Sequence, residues 1–163
     1  MMKHRWIAVG LLAAVAAAQA DVQVNFVHPD KFSDIRDNNG FRNEQALTEL
    51  KAYMAKAATQ LLPERDIRFD VTDVNLAGEV EPWHHGQWLR VMRATTPPSM
   101  TLRYEVREDD KVVQQGEATL RDITYQDRGT LPFFSSDPLR YEKGMLDRWM
   151  KGEFSPKLAA GDR

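Results

Sequence analysis

Between Ile67 and Pro82 the chain reads IRFDVTDVNLAGEVEP, and its apolar residues change step midway. Ile67, Phe69 and Val71 alternate with Arg68, Asp70 and Thr72, the two-residue period of a strand with one buried and one wet face. Asp73 then takes the next inward place, and Val74 and Leu76 resume the apolar series one residue late. A slip of one residue would turn every later apolar side chain away from the core unless the strand absorbs the extra residue, so the pattern predicts a β-bulge. The stretch therefore calls for a sheet covered on one face, bent at Asp73, with the Leu76-Ala77-Gly78-Glu79 turn delivered to one edge.

The remaining segments supply that sheet and its cover. Val22, Val24 and Phe26 form a short first strand, ended by His28-Pro29. Residues 30–42 are polar and turn-rich, with Asn38-Asn39-Gly40 as a turn and Phe32, Ile35 and Phe41 as anchors. Asn43 suits a helix N-cap, Ala46, Leu47, Leu50, Tyr53, Met54, Ala57, Ala58 and Leu61 recur at helical spacing, and Pro63 stops the helix. Leu89 and Val91 suggest a short strand before Pro97-Pro98. Met100, Leu102, Tyr104 and Val106 alternate cleanly, and Glu108-Asp109-Asp110-Lys111 turns them back into a hairpin with residues 112–123, Gly116 marking an irregularity. After a loop carrying the apolar Leu131-Pro132-Phe133-Phe134, a last helix is expected from an Asp137 N-cap and Pro138 at its first position, with Leu139, Tyr141, Met145, Leu146 and Trp149 on one face, to Gly152 just past its end. The fold class is α+β: a mostly antiparallel sheet of four to five strands with two helices on one face, in the order β-α-β-β-β-β-α. A right-handed crossover through the first helix would set the first two strands parallel.

A chain of 163 residues is one domain's worth, placed here at residues 21–154 between a cleavable signal peptide, residues 1–20, and a mobile tail, residues 155–163. Lys3 and Arg5 precede an apolar run from Trp6 to Ala18, and Ala18-Gln19-Ala20 is a small-x-small cleavage site. The run falls short of the roughly 18 apolar residues that would read as a membrane span. Cleavage before Asp21 is expected to leave a soluble chain in the periplasm with no membrane anchor. Cysteine is absent, which removes lipid attachment through a cysteine, thiol catalysis and thiolate metal sites. Without Lys3 and Arg5 the chain carries 20 basic against 24 acidic residues, a formal charge of −4, with the basic residues scattered singly, so nucleic acid is not an expected partner.

The residues admit three readings. A divalent-metal site would draw on His84, His85 and Glu81, with Glu79 and Asp73 nearby, but adjacent histidines on an extended segment point to opposite sides. A small hydrolase would pair carboxylates among Asp70, Asp73, Glu79, Glu81 and Asp122, or one of them with a histidine. The chain has no GxSxG elbow, SxxK pair, P-loop or GxGxxG, and no catalytic residue or cofactor is assigned. A binding or accessory module for another envelope component is the preferred reading, because Trp83, Trp88, Phe133, Phe134 and Trp149 fall in or beside loops, where anchors of recognition concentrate. The binding residues expected are Asp73, Glu79, Trp83 and Trp88; the ligand or envelope partner is not specified by the sequence.

A set of short segments spread over residues 22–149 resembles the bacterial family catalogued as domain of unknown function 3016. They are Val22 to Phe26, Pro29, Phe32 and Ser33-Asp34-Ile35-Arg36; Thr72 to Glu79 with Glu81-Pro82; and Arg90-Val91-Met92. Gly116, Leu120-Arg121-Asp122 and Tyr125 follow, then Leu139-Arg140-Tyr141-Glu142-Lys143, Met145-Leu146 and Trp149. The resemblance implies a small exported proteobacterial protein and carries no activity, cofactor or catalytic residue with it. The His84-His85 pair lies outside these segments.

Overall fold

The computed structural model of the protein describes residues 20–127 and 136–155. The expected signal peptide up to residue 19, the apolar run at 131–134 and the expected tail beyond Ser155 lie outside the described residues. In chain order the elements are β1 (Val22–Phe26), α1 (Glu44–Leu61), β2 (Asp66–Asn75), β3 (Glu79–Pro82), β4 (Trp88–Val91), β5 (Ser99–Glu108), β6 (Lys111–Arg121) and α2 (Arg140–Phe154). The architecture is α+β, as the alternation and helical periodicity require.

Four strands form one sheet in the order β1-β2-β5-β6. β1 runs parallel to β2, with Val24 opposite Phe69, and the other two pairings are antiparallel. The slip at Asp73 is a bulge. Val71 faces Leu102 and Asp73 faces Thr101, so Thr72 is the extra residue, and Val74 returns to the buried face opposite Met100. β5 turns into β6 through Asp109 and Asp110, both left-handed (φ 47° and 63°), the geometry of a tight two-residue hairpin. The irregularity in that hairpin falls between Val106 and Arg107 rather than at Gly116. Gly116 instead gives room to Tyr104: a Cβ there would stand 2.8 Å from the phenol oxygen.

The core lies between one face of this sheet and the two helices. Ile67, Phe69 and Val71 of β2 and Met100, Leu102 and Val106 of β5 meet Leu50 and Met54 of α1 and Leu146 and Met150 of α2. Asn43 caps α1 through its side-chain oxygen, which accepts the Ala46 N–H at 2.9 Å. The start of α2 is more elaborate than a simple cap. Asp137 accepts the Leu139 N–H at 2.8 Å and holds the buried Lys143 ammonium at 2.5 Å, and regular helix begins at Arg140. Gly152 does not end α2; the helix continues to Phe154, whose ring reaches the core beside Phe69 and Tyr104. Trp149, grouped above with the loop aromatics, lies on α2 in the same ring cluster, 6.2 Å from Phe69 and 5.6 Å from Tyr104.

The second layer of architecture is small and sits at one end. β3 and β4 form a separate two-stranded antiparallel sheet, with Glu79 opposite Val91 and Pro82 opposite Trp88. Gly78 (φ 78°) makes the passage from β2 to β3 possible, because a Cβ there would lie 2.7 Å from the Val91 carbonyl oxygen. The loop after β1 returns along the end of β2, where the Asp34 N–H donates to the Val74 carbonyl and the Leu76 N–H donates to the Asp34 carbonyl, both at 3.0 Å. Phe32 and Ile35 anchor it as expected. Phe41 does not: it is 72% exposed. The Asp37 carboxylate organises the turn before it, accepting the Asn39 and Phe41 N–H groups, and leaves that ring outside.

Candidate functional site

Where the bulged end of β2, the 33–40 loop and the β3–β4 hairpin come together, one guanidinium joins them. Arg90, on β4, donates to both carboxylate oxygens of Asp34 at 2.8 and 3.3 Å, to the Gly78 carbonyl at 3.1 Å and to the Arg36 carbonyl at 2.8 Å. The two side chains are only 15% and 21% exposed, so the pair is largely withdrawn from water. A planar fork with five donors suits this task, since it satisfies a carboxylate and several loop carbonyls from one point. Behind it, the turn is fixed a second time. The Ala77 N–H donates at 2.7 Å to Oε1 of Glu142, in the first turn of α2. Glu142 is 1% exposed, and its Oε2 has no hydrogen-bond partner among the described residues. Burial pushes the carboxyl's pKa up from its ordinary range, opposed by the Ala77 N–H and by the positive charges of Arg90 and Arg140.

This frame borders a cleft of about 690 Å³. Its walls come from the 33–40 loop, the start of β3, Trp88 on β4, the Thr95-Thr96-Pro97 turn, and Arg121 at the end of β6. The volume is in the range of small-molecule sites, and the lining mixes one indole with hydroxyl, amide and charged groups. A second cavity of about 560 Å³ shares Arg36 and Asn39 with it and is lined by Leu89, Met92, Leu139 and Glu142 among others.

The residues expected from sequence separate here. Glu79 and Trp88 line the cleft. Asp73 serves the loop instead: its carboxylate accepts the Ser33 N–H at 2.7 Å and the Ser33 hydroxyl at 2.8 Å. Trp83 and Trp88 flank the tip of the β3–β4 hairpin and are 52% and 51% exposed. His84 and His85 form a 3₁₀ turn between them, His85 in the left-handed region (φ 60°), with the His84 ring 5.2 Å from that of Trp83. Glu81 is engaged by the Arg93 guanidinium at 2.9 and 2.5 Å, which raises the arginine's pKa. Among the described residues no three histidine or carboxylate side chains converge as a metal-holding group. Phe133 and Phe134 fall outside the described residues. Among the described residues, too, no helix is long and apolar enough to cross a membrane.

Sequence reasoning did not pick out Asp34, Arg90 or Glu142 as site residues, although all three lie in segments that carried the resemblance. A lone arginine in a short strand and a glutamate in a helix's first turn give no local signal of convergence.

An α+β domain bearing an open polar cleft beside an aromatic hairpin is the class that fold and site define. A family model described as "Protein of unknown function (DUF3016)" matches residues 20–152, and the chain belongs to that family. No curated protein and no solved structure matches the chain.

Proposed function

We propose that the protein is an exported, periplasmic binding module that acts on another component of the cell envelope through the cleft beside Trp88. One observation carries the reading: an indole about half exposed lines a 690 Å³ cleft together with Asp34, which Arg90 holds in place. A rigid frame with an exposed aromatic anchor is how recognition sites limit the entropy lost on binding. The periplasmic part of the reading is supported by the basic, apolar and small-residue segments of residues 1–20. Intact mass of the protein recovered from cells tests it; a chain that begins at Asp21 is expected, and one that begins at Met1 overturns it.

The binding reading is tested by replacing Trp88 with a photo-crosslinking phenylalanine analogue in growing cells, with Gln115 on the open sheet face as the comparison position. A discrete adduct from position 88 that is absent from position 115 is expected. Identical adduct patterns from the two positions would sink the reading.

A further inference from the structure

The arginines among the described residues differ in what they hold. Arg42, Arg65, Arg68, Arg90, Arg93, Arg103, Arg107 and Arg148 each pair with a carboxylate. Arg140 lies over the Tyr141 ring, 4.4 Å from its centroid, and donates to the Asp137 carbonyl. Arg36 and Arg121 are different: among the described residues neither guanidinium takes part in a hydrogen bond or ion pair. They come from segments 85 positions apart, yet both line the cleft that holds Trp88.

The acidic groups on the lining do not outweigh them: Asp34 is already taken by Arg90, and Glu79 sets one carboxylate against two guanidinium groups. That leaves a cleft with two uncommitted guanidinium forks in a chain of net negative formal charge. The rest of the lining, Ser33, Asn39, Thr95 and Thr96, offers hydroxyl and amide groups suited to a ligand rich in hydroxyls. Trp88 adds a flat apolar surface on which a sugar ring can stack through its C–H groups.

We infer that the cleft binds an anionic saccharide, with the ring against Trp88 and the carboxylate or phosphate held by Arg36 and Arg121. Arginine forks suit both kinds of anion, because each presents paired oxygens to paired N–H donors. Glu79 accepts hydroxyl hydrogens at the rim. The inference rests on the binding reading above and narrows it to a ligand class.

The test uses NMR of the ¹⁵N-labelled protein as recovered from cells, following the Trp88 indole N–H, which a Trp88→Phe variant assigns. The probes are glucuronic acid, glucose 1-phosphate, glucose and inorganic phosphate. Either acidic sugar is expected to shift the Trp88 signal and to bind at least about tenfold tighter than glucose. Arg36→Gln and Arg121→Gln are each expected to weaken that binding about tenfold while leaving the thermal midpoint unchanged, since neither guanidinium holds another described residue. A response to glucuronic acid alone marks a carboxylate sugar, and one to glucose 1-phosphate alone marks a phosphorylated sugar; both support the class. Equal binding of glucose, phosphate binding with no Trp88 response, no binding of any probe, or acidic-sugar binding untouched by both arginine variants would overturn it. A specific crosslink from position 88 in cells would then still stand, so the ligand class can fall without the binding site.

Discussion

The seam between the sheet and its helices and the end that bears the cleft are built by opposite means. At the seam, Trp149 meets Phe69 and Tyr104 edge to face, Phe154 meets Tyr104 edge to face and lies tilted against Phe69, and Leu50, Met54, Leu102 and Leu146 are fully buried around them. Nothing there depends on one atom pair. At the cleft end the hairpin buries little, and its placement depends on Arg90, Asp34, Gly78 and Glu142. Apolar packing is non-directional and cumulative, so it stabilises the fold without fixing any one loop closely. Hydrogen-bonded charges are directional, and they set the position of a surface that must present specific groups.

The difference can be broken first at the seam. Phe69→Ala removes a ring that is 0% exposed and in contact with Trp149 and Phe154, and should lower the unfolding free energy by about 4 kcal/mol. Urea unfolding followed by far-ultraviolet circular dichroism measures it. A loss under about 1 kcal/mol would mean that the ring cluster is not where stability resides.

The polar lock comes next. Arg90→Ala leaves the Asp34 carboxylate and the Arg36 and Gly78 carbonyls without their donor, and should cost about 3 kcal/mol, near the lower end for a buried pair because some water reaches it. The expected signature differs from that of Phe69→Ala. Hydrogen exchange should rise in residues 33–40 and in the β3–β4 hairpin while the β2–β5 ladder stays protected. A cycle with Asp34→Asn should return a coupling of about 1 to 3 kcal/mol. Coupling near zero would show that the bonds to the loop carbonyls hold the hairpin on their own.

Much of the seam was legible in the sequence because its signals are local. Alternation in Ile67 to Val71 and Met100 to Val106 names the buried face directly, and the slip at Asp73 announces the bulge. Asn43 declares itself as a cap. The cleft end was only partly legible. Glu79 and Trp88 lie on its wall, but β3 is four residues long, ends in a proline and shows no alternation, so its pairing with β4 left no pattern. The Arg90–Asp34 pair spans 56 positions, and nothing in either residue's neighbourhood points to the other. Glu142 reads as an ordinary acidic residue favoured near a helix N-terminus; only packing against Ala77 reveals that it is buried. Trp149 could be read two ways, on the apolar face of the expected last helix or beside a loop, and the structure sets it on α2 in the seam.

Glu142 also makes the comparison sensitive to pH. Its folded-state pKa is raised by burial, so the stability it contributes is complete below the unfolded value of about 4.3 and is lost as pH rises through the folded value. Glu142→Gln keeps a carbonyl oxygen for the Ala77 N–H and removes the titration. Relative to the parent, the variant should gain unfolding free energy progressively as pH rises above the unfolded value, measured by urea unfolding at a series of pH values. Parallel curves for the two proteins over that range would show that the buried carboxyl is fully compensated by Arg90 and Arg140.

The smallest effect is expected at the hairpin tip. Trp83 is 52% exposed, and its recorded ring contact is with His84, itself on the surface. Trp83→Ala should therefore change stability by less than about 0.5 kcal/mol, as surface substitutions do. The same variant separates the two tryptophans of the hairpin, because Trp88 lines the cleft and Trp83 is not among its lining residues. If the cleft alone recognises the ligand, Trp83→Ala leaves acidic-sugar binding within about twofold of the parent while Trp88→Ala reduces it about tenfold or more. Equal losses from both would extend the recognition surface across the hairpin tip. That surface would be positioned by the Arg90 lock rather than by the core, and Arg90→Ala should then weaken binding through both tryptophans at once.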